Sequence, residues 1–425
     1  MRAGRWLPVG LAAAAAGTVA LVTAGGGAER VEAGSEVPPL ATIAKRVEDI
    51  RGLRFERLPK VRRVTRRQLQ AEFDRQLDRL SGAELRRYEG DQEAYKLLGF
   101  VDPEADAEEG ADTSDILGVY DFRTKQLTIV TDAQGDPFQA ELTIAHELAH
   151  ALEDQAFKLG DPGAHGDDAA AAYRAAAEGS ATLVEAQYAR RHLGGGVTTK
   201  RLAYSQPAST KKAKPSYSEN ASRFTYLDGS RFVAQLHRRG GWKLVNRALQ
   251  LDQPVSTEEI LHPDAYLDGE GRDPVRLRAE RVLGPRFHRL AGGAFGEFDT
   301  SQLLMAGALT DDETTRSEAA KGAAGWAAGR YELWRAGRGE RGCSEPCVER
   351  DVLVVAWQWD RAADAAQFAR LLRPYLEEFQ QLRPAGRGSW RGKVAAAALA
   401  VRGHRVTLVF APAPALARLV AQRAQ

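Results

Sequence analysis

Two histidines flank a glutamate at His146-Glu147-Leu148-Ala149-His150, inside the stretch ELTIAHELAHALEDQ. On a helix, side chains four residues apart lie one turn apart, so both imidazoles can reach a single metal ion. The glutamate between them then sits beside the ion rather than on it, where it can take a proton from water. Zinc suits such a site: it accepts nitrogen and oxygen donors, keeps a position open in catalytic centres, and acidifies water. The expected cofactor is Zn2+, with His146 and His150 as ligands and Glu147 as general base. The alternative is a solvated helix face carrying two surface histidines.

The surrounding pattern favours the metal. With about 100° per residue and His146 set at zero, His150 falls near 40°, Asp154 near 80° and Glu147 near 100°. Phe138, Leu142, Ala145, Leu148, Leu152 and Leu159 gather on the opposite side, giving one helix with an apolar back and a polar front. A third ligand must come from another element. Glu178, in AAAEGSATLVE, lies 28 residues beyond His150. Its small neighbours, Gly179 above all, let a second helix pack closely on the first. Glu185 is the rival, seven residues further on and about 20° away on the same helix face. Glu178 is preferred for its place at the close-approach point.

TIAHELAHALEDQ followed by AAAEGSATLVE resembles gluzincin-type metallopeptidases found among exported bacterial and archaeal proteins. VEDIRGLRF, VYDFRTKQLTIV, FTYLDGSRFV and STEEILHPDAYL extend the likeness over roughly residues 40–310, and more loosely into the C-terminal region. The resemblance implies an α+β fold. A zincin-like catalytic domain, a small sheet plus active-site helices, would occupy 41–315, and a smaller C-terminal α/β module 320–425. It also implies His146, His150 and Glu178 as ligands, Glu147 as base, and a peptide or protein as substrate. One departure stands out: Thr182 occupies the place where an ExxxD signature would set a carboxylate behind a ligand histidine. Asp154 is the candidate for that orienting role. Tyr226 and His262, in segments that the likeness places after the zinc site, are candidates to stabilise the developing oxyanion, with Tyr266 a weaker third. Two other functions fit the same ligands: an inactive zincin-fold surface protein with a binding or structural role, and a zinc hydrolase of a non-peptide amide.

Several elements must hold these residues in place. LGVYDF and QLTIVT read as strands of a hairpin turning at Arg123-Thr124-Lys125. A helix should follow, with Asp136 as N-cap, Pro137 at its first position and Gly160 as its stop. The alanine-rich stretch DDAAAAYRAAAEGSATLVEAQYARRH is a second helix, and RFTYLDGSRFVAQLHRRGG a third. A polar, exposed loop should separate them, from Thr198 to Asn220. Upstream, an arginine-rich helical stretch is divided by Pro59, with a short strand in LPKVRRV. Beyond residue 320, GRYELWRAG, RDVLVVAWQWD and HRVTLVFAP are strands, and AADAAQFARLLRPYLEEFQQL and APALARLVAQR helices.

Composition bounds the rest. The chain has 425 residues, 44% hydrophobic and 27% charged, enough for a large core. A formal net charge of +2 argues against a nucleic-acid partner. Arg2 and Arg5 precede an uncharged run from Leu7 to Ala24, which reads as a signal peptide or, uncleaved, as an anchor and membrane tether over residues 1–24. Residues 25–40 read as a linker. The expected location is extracytoplasmic, secreted or anchored to the outer face of the cell membrane. There, Cys343 and Cys347 should form a local disulfide. Trp326, Trp334, Trp357 and Trp359 read as core or inter-domain packing, with a substrate-binding surface as the sharper alternative. His165, His192, His237, His288 and His404 lack a partner pattern and read as surface residues.

Overall fold

The computed structural model describes residues 37–77, 80–101, 116–132, 137–159, 167–193, 217–269, 274–308, 313–337, 343, 346–393 and 395–425. The expectations for the leader, most of the linker, Asp136, Gly160, His165 and most of the 198–220 loop lie outside these residues. Among the described residues no helix is long and apolar enough to cross a membrane.

The chain enters through α1 (Leu40–Arg51), then β1 (Lys60–Val64), α2 (Arg66–Leu77) and α3 (Gly82–Leu98). Ser81 caps α3 in a reciprocal box with Glu84. The expected hairpin forms from β2 (Gly118–Asp121) and β3 (Gln126–Val130), registered from Gly118↔Ile129 to Asp121↔Gln126. Asp121 Oδ1 accepts the N–H groups of Arg123 and Thr124 and so tightens its turn. The arginine-rich strand β1 pairs parallel with β3, leaving β2 on an edge of a three-stranded sheet.

The helix carrying His146 and His150 is α4 (Pro137–Phe157). Its apolar back behaves as the 3.6-residue period requires. Leu142, Ala145, Leu148 and Leu152 bury against Ile43, Val47 and Ile50 of α1, Leu127 of β3, and Ala181, Val184 and Tyr188 of α5 (Asp167–His192). Lys158, rather than a glycine, takes the left-handed position that ends α4 (φ 55) and donates its N–H to Asp154 O.

The third helix runs further than its glycines suggest. It comprises α6 (Tyr217–Arg223), a π-helical turn (Phe224–Asp228) and α7 (Gly229–Gln250). Gly241, at φ 60 and ψ −162, kinks α7 instead of ending it, because Val245, Ala248 and Leu249 beyond it restart an apolar face. The backbones of α5 and α7 touch: a Cβ at Gly179 would stand 2.2 Å from Gly229 O. Short helices follow, α8 (Thr257–Leu261), α9 (Pro263–Asp268) and α10 (Ala279–Leu283).

The remaining chain builds a seven-stranded antiparallel sheet in the order β4-β5-β6-β10-β9-β8-β7. Its elements are β4 (Phe287–Ala294), α11 (Glu297–Gly307), α12 (Glu313–Ala323), β5 (Trp326–Ala336), β6 (Asp351–Trp359), α13 (Ala362–Leu371), a π turn (Tyr375–Phe379), β7 (Arg383–Pro384), β8 (Ser389–Arg391), β9 (Ala396–Arg402), β10 (Arg405–Ala411) and α14 (Pro414–Arg423). Both faces of β6 are covered, which explains its unbroken apolar run. Leu353, Val355, Trp357 and Trp359 face α3, α11 and α13, while Val352 and Val354 face α10 and α14. All five tryptophans of this region, Trp326, Trp334, Trp357, Trp359 and Trp390, are buried, and Cys343 and Cys347 are joined. The boundary expected at 315–320 falls inside this unit, since β4 is one of its strands and α3 supplies Ala94, Tyr95 and Leu98 to its core. The fold is mixed α+β, with a small sheet beside the histidine helix and a larger C-terminal one.

Candidate functional site

α4 and α5 bring three donor atoms to one point. His146 Nε2 and His150 Nε2 stand 3.1 Å and 3.2 Å from Glu178 Oε2, and 3.2 Å from each other. The imidazoles meet edge to face, and both are buried. Donors about 2.0–2.2 Å from a tetrahedral ion lie about 3.3–3.6 Å apart. The observed spacing is close to that, so His146, His150 and Glu178 could hold a small divalent cation. The charges reinforce one another. Burial would raise the pKa of Glu178, but His150 and the hydrogen bonds from both imidazoles hold it far below the usual carboxylate range. Burial would depress His146, yet hydrogen bonds to Glu178 and Glu185 lift it well above its ordinary value. His150 is lifted too, its burial outweighed by Glu178.

Glu185, weighed above as the rival ligand, lies behind the first histidine instead. Its Oε2 is 3.2 Å from His146 Nδ1. Two carboxylates of α5, seven residues apart, thus bracket one imidazole, one at each ring nitrogen. This is the orienting role that sequence reasoning gave to Asp154. Asp154 is engaged elsewhere, by Tyr120 Oη at 2.7 Å and Lys125 Nζ at 2.7 Å. Among the described residues His150 Nδ1 has no hydrogen-bond partner; it is buried beside the ring of Phe122.

Glu147 is buried next to the donors and outside their cluster. Its Oε2 accepts the backbone N–H of Tyr120 at 2.6 Å. Burial raises its pKa, a tendency that His146 and His150 oppose. Tyr226 is delivered by the π turn, a local widening that often marks functional positions. Its hydroxyl hydrogen-bonds Glu178, and burial together with the charges of Glu178 and Glu147 drives its pKa well up.

The other expected donors are placed differently. His262 lies outside the donor cluster, with its Nε2 2.9 Å from Glu297 Oε1. The reason is local: it ends α8 and starts α9, a corner packed toward α11. Tyr266 donates its hydroxyl to Asp252 O at 2.8 Å and packs on Phe232. Sequence reasoning found the hairpin but missed Tyr120 and Lys125. The clue available was that the hairpin directly precedes the histidine helix.

Residues 283–421 match a family described as a domain of unknown function (DUF8575). That span holds the large sheet and not the donor cluster. No curated protein and no solved structure matches the chain.

Proposed function

We propose that this protein is an exported, zinc-dependent metallopeptidase with a zincin-like catalytic domain, hydrolysing peptide bonds in peptide or protein substrates. The observation that carries this reading is the meeting of His146, His150 and Glu178 at about 3.1–3.2 Å, with Glu147 beside them. Zn2+ bound there would acidify water and polarise the scissile carbonyl. His146 and His150 offer Nε2 and Glu178 offers Oε2 for the ion. Glu147 takes the proton from the attacking water on its carboxylate and passes it to the leaving amine. The Tyr120 N–H holds Oε2, so Oε1 is the oxygen presented for proton transfer. Tyr226 is the hydroxyl best placed to donate to the oxyanion as it forms. Export rests on the charged and apolar leader, and the joined Cys343 and Cys347 suit an oxidising compartment.

The test is Glu147→Gln. Zinc content should match the parent, while hydrolysis of a peptide library should fall by roughly 10²–10⁴-fold. Equal turnover in the two proteins would remove Glu147 from the chemistry. Stoichiometric zinc with no cleavage by the parent would instead favour a binding or structural role.

A further inference from the structure

We infer that Asp154, together with Tyr120 and Lys125, forms a clamp that positions Glu147. This assignment builds on the function proposed above, since it concerns the group that moves the proton. Glu147 and Asp154 are seven residues apart on α4, about 10 Å along its axis. Tyr120 spans that distance. Its backbone N–H is given to Glu147 Oε2, and its hydroxyl to Asp154 Oδ2. One residue of the edge strand β2 therefore touches α4 at the general base and again two turns beyond it.

Lys125 completes the clamp from the hairpin turn. Its Nζ lies 2.8 Å and 2.7 Å from the two oxygens of Asp154, whose side chain is 1% exposed. Lys125 also adopts φ 58, a left-handed conformation uncommon for a residue with a side chain. An unfavourable backbone angle persists where surrounding contacts over-determine it. Here those contacts include the two Asp121 bonds that tighten the turn and the ion pair to Asp154. Neither feature is needed to close a hairpin, because glycine would take this turn without strain. A lysine in that position reaches back to the histidine helix.

The clamp fixes rotation as well as distance. A glutamate in an open pocket can offer either oxygen. With Oε2 held by an amide of a strand that is itself anchored to the same helix, Oε1 alone is presented. Asp154, Tyr120 and Lys125 act through Glu147 and touch no reacting atom, so they are positioning residues.

The experiment measures hydrogen exchange at the Tyr120 amide, zinc affinity, and kcat and KM in the full chain. It compares Asp154→Asn, Tyr120→Phe and Lys125→Ala. Tyr120 amide protection should drop roughly five- to ten-fold in Asp154→Asn and Tyr120→Phe. Zinc affinity should stay within about three-fold of the parent, because no ligand or ligand partner is altered. On a cleaved peptide, kcat should fall and KM hold, as when a contact used only in the transition state is lost. Lys125→Ala, at a half-exposed side chain, keeps the test open if a buried change prevents folding, and should show a smaller loss of the same kind. Unchanged Tyr120 protection in all three variants overturns the clamp. So does a loss of zinc affinity as large as the loss of kcat. If protection falls as expected but the parent cleaves nothing, the clamp stands and the peptidase reading fails.

Discussion

The donor cluster and the large sheet both bury charge, and they use it differently. On the sheet, each buried carboxylate from α3 meets a partner that fastens the helix down: Asp91 accepts from Tyr331 Oη, and Glu93 pairs with Arg335, which also holds Asp351. Around α4, three donor atoms, His146 Nε2, His150 Nε2 and Glu178 Oε2, face one another at 3.1–3.2 Å. Burying two imidazoles and a carboxylate is costly unless something draws them together. The first arrangement is a fastening and the second a receptacle. The family match covers the region of fastenings, while the donor cluster lies outside it.

Paired substitutions can break this contrast. The largest effects should be on stability. Arg51 of α1 is buried against Glu153 of α4 at 2.7 Å, lies over the Trp242 ring, and shares Glu153 with Ser180 of α5. Arg51→Ala leaves a buried carboxylate uncompensated and should cost about 3–5 kcal/mol in denaturant unfolding. Trp357→Ala, in the sheet core, should cost about 3–5 kcal/mol through the cavity it leaves. Below the unfolding transition only Arg51→Ala should also weaken zinc binding, since α1 supports the histidine helix. Equal zinc affinity in the two variants would erase the distinction between the regions.

A middle-sized effect is expected at Glu185. Glu185→Gln should lower zinc affinity about 10–100-fold, the usual consequence of losing a partner behind a ligand histidine. It should leave unfolding in the absence of metal almost unchanged. A Co2+ absorption spectrum of parent shape would show that the ligand set is intact, and a changed spectrum would make Glu185 a ligand after all.

The smallest effect is a slope. Asp299, on α11 between the two regions, is pushed up to about 7 by burial, against a hydrogen bond from Tyr217. A carboxyl whose folded pKa is raised binds its proton more tightly in the folded state. Its contribution is therefore complete below about pH 4, the unfolded value, and is lost as pH rises through about 7. Asp299→Asn should flatten the decline in stability between those limits, measured by urea unfolding across pH. An unchanged profile would assign the slope to the other carboxyls that burial raises, Asp91 to about 6 and Glu93 to about 7.

Much of this was legible in local patterns. The spacing of His146 and His150, the apolar back of α4 and the small residues around Glu178 each depend on a single period. β6 announced itself by an apolar run too short for a helix and too continuous for an edge strand. The membership of β4 and α3 in the large sheet was hidden, because neither the pairing of β4 with a strand beyond two intervening helices nor the docking of α3 from about two hundred residues away leaves a local trace. Glu185 and Asp154 show the same limit at the site. Both lie on the polar faces of their helices, and a helical wheel tells which way a carboxylate points but not which ring it meets. His262 meets Glu297 of α11, a partner 35 residues away that its own segment gives no sign of.

The close passage of α5 against α7 has a consequence for how this protein can vary. Gly179 directly follows a donor, and Gly229 stands three residues after Tyr226. A methyl group on Gly229 would lie 2.1 Å from Ala175 O, inside any tolerable contact. A drift to alanine at either glycine would wedge the helices apart and draw the phenol away from the carboxylate it now reaches. Such a protein would keep every donor and every acid of its sequence motif, yet would have lost the registration between them.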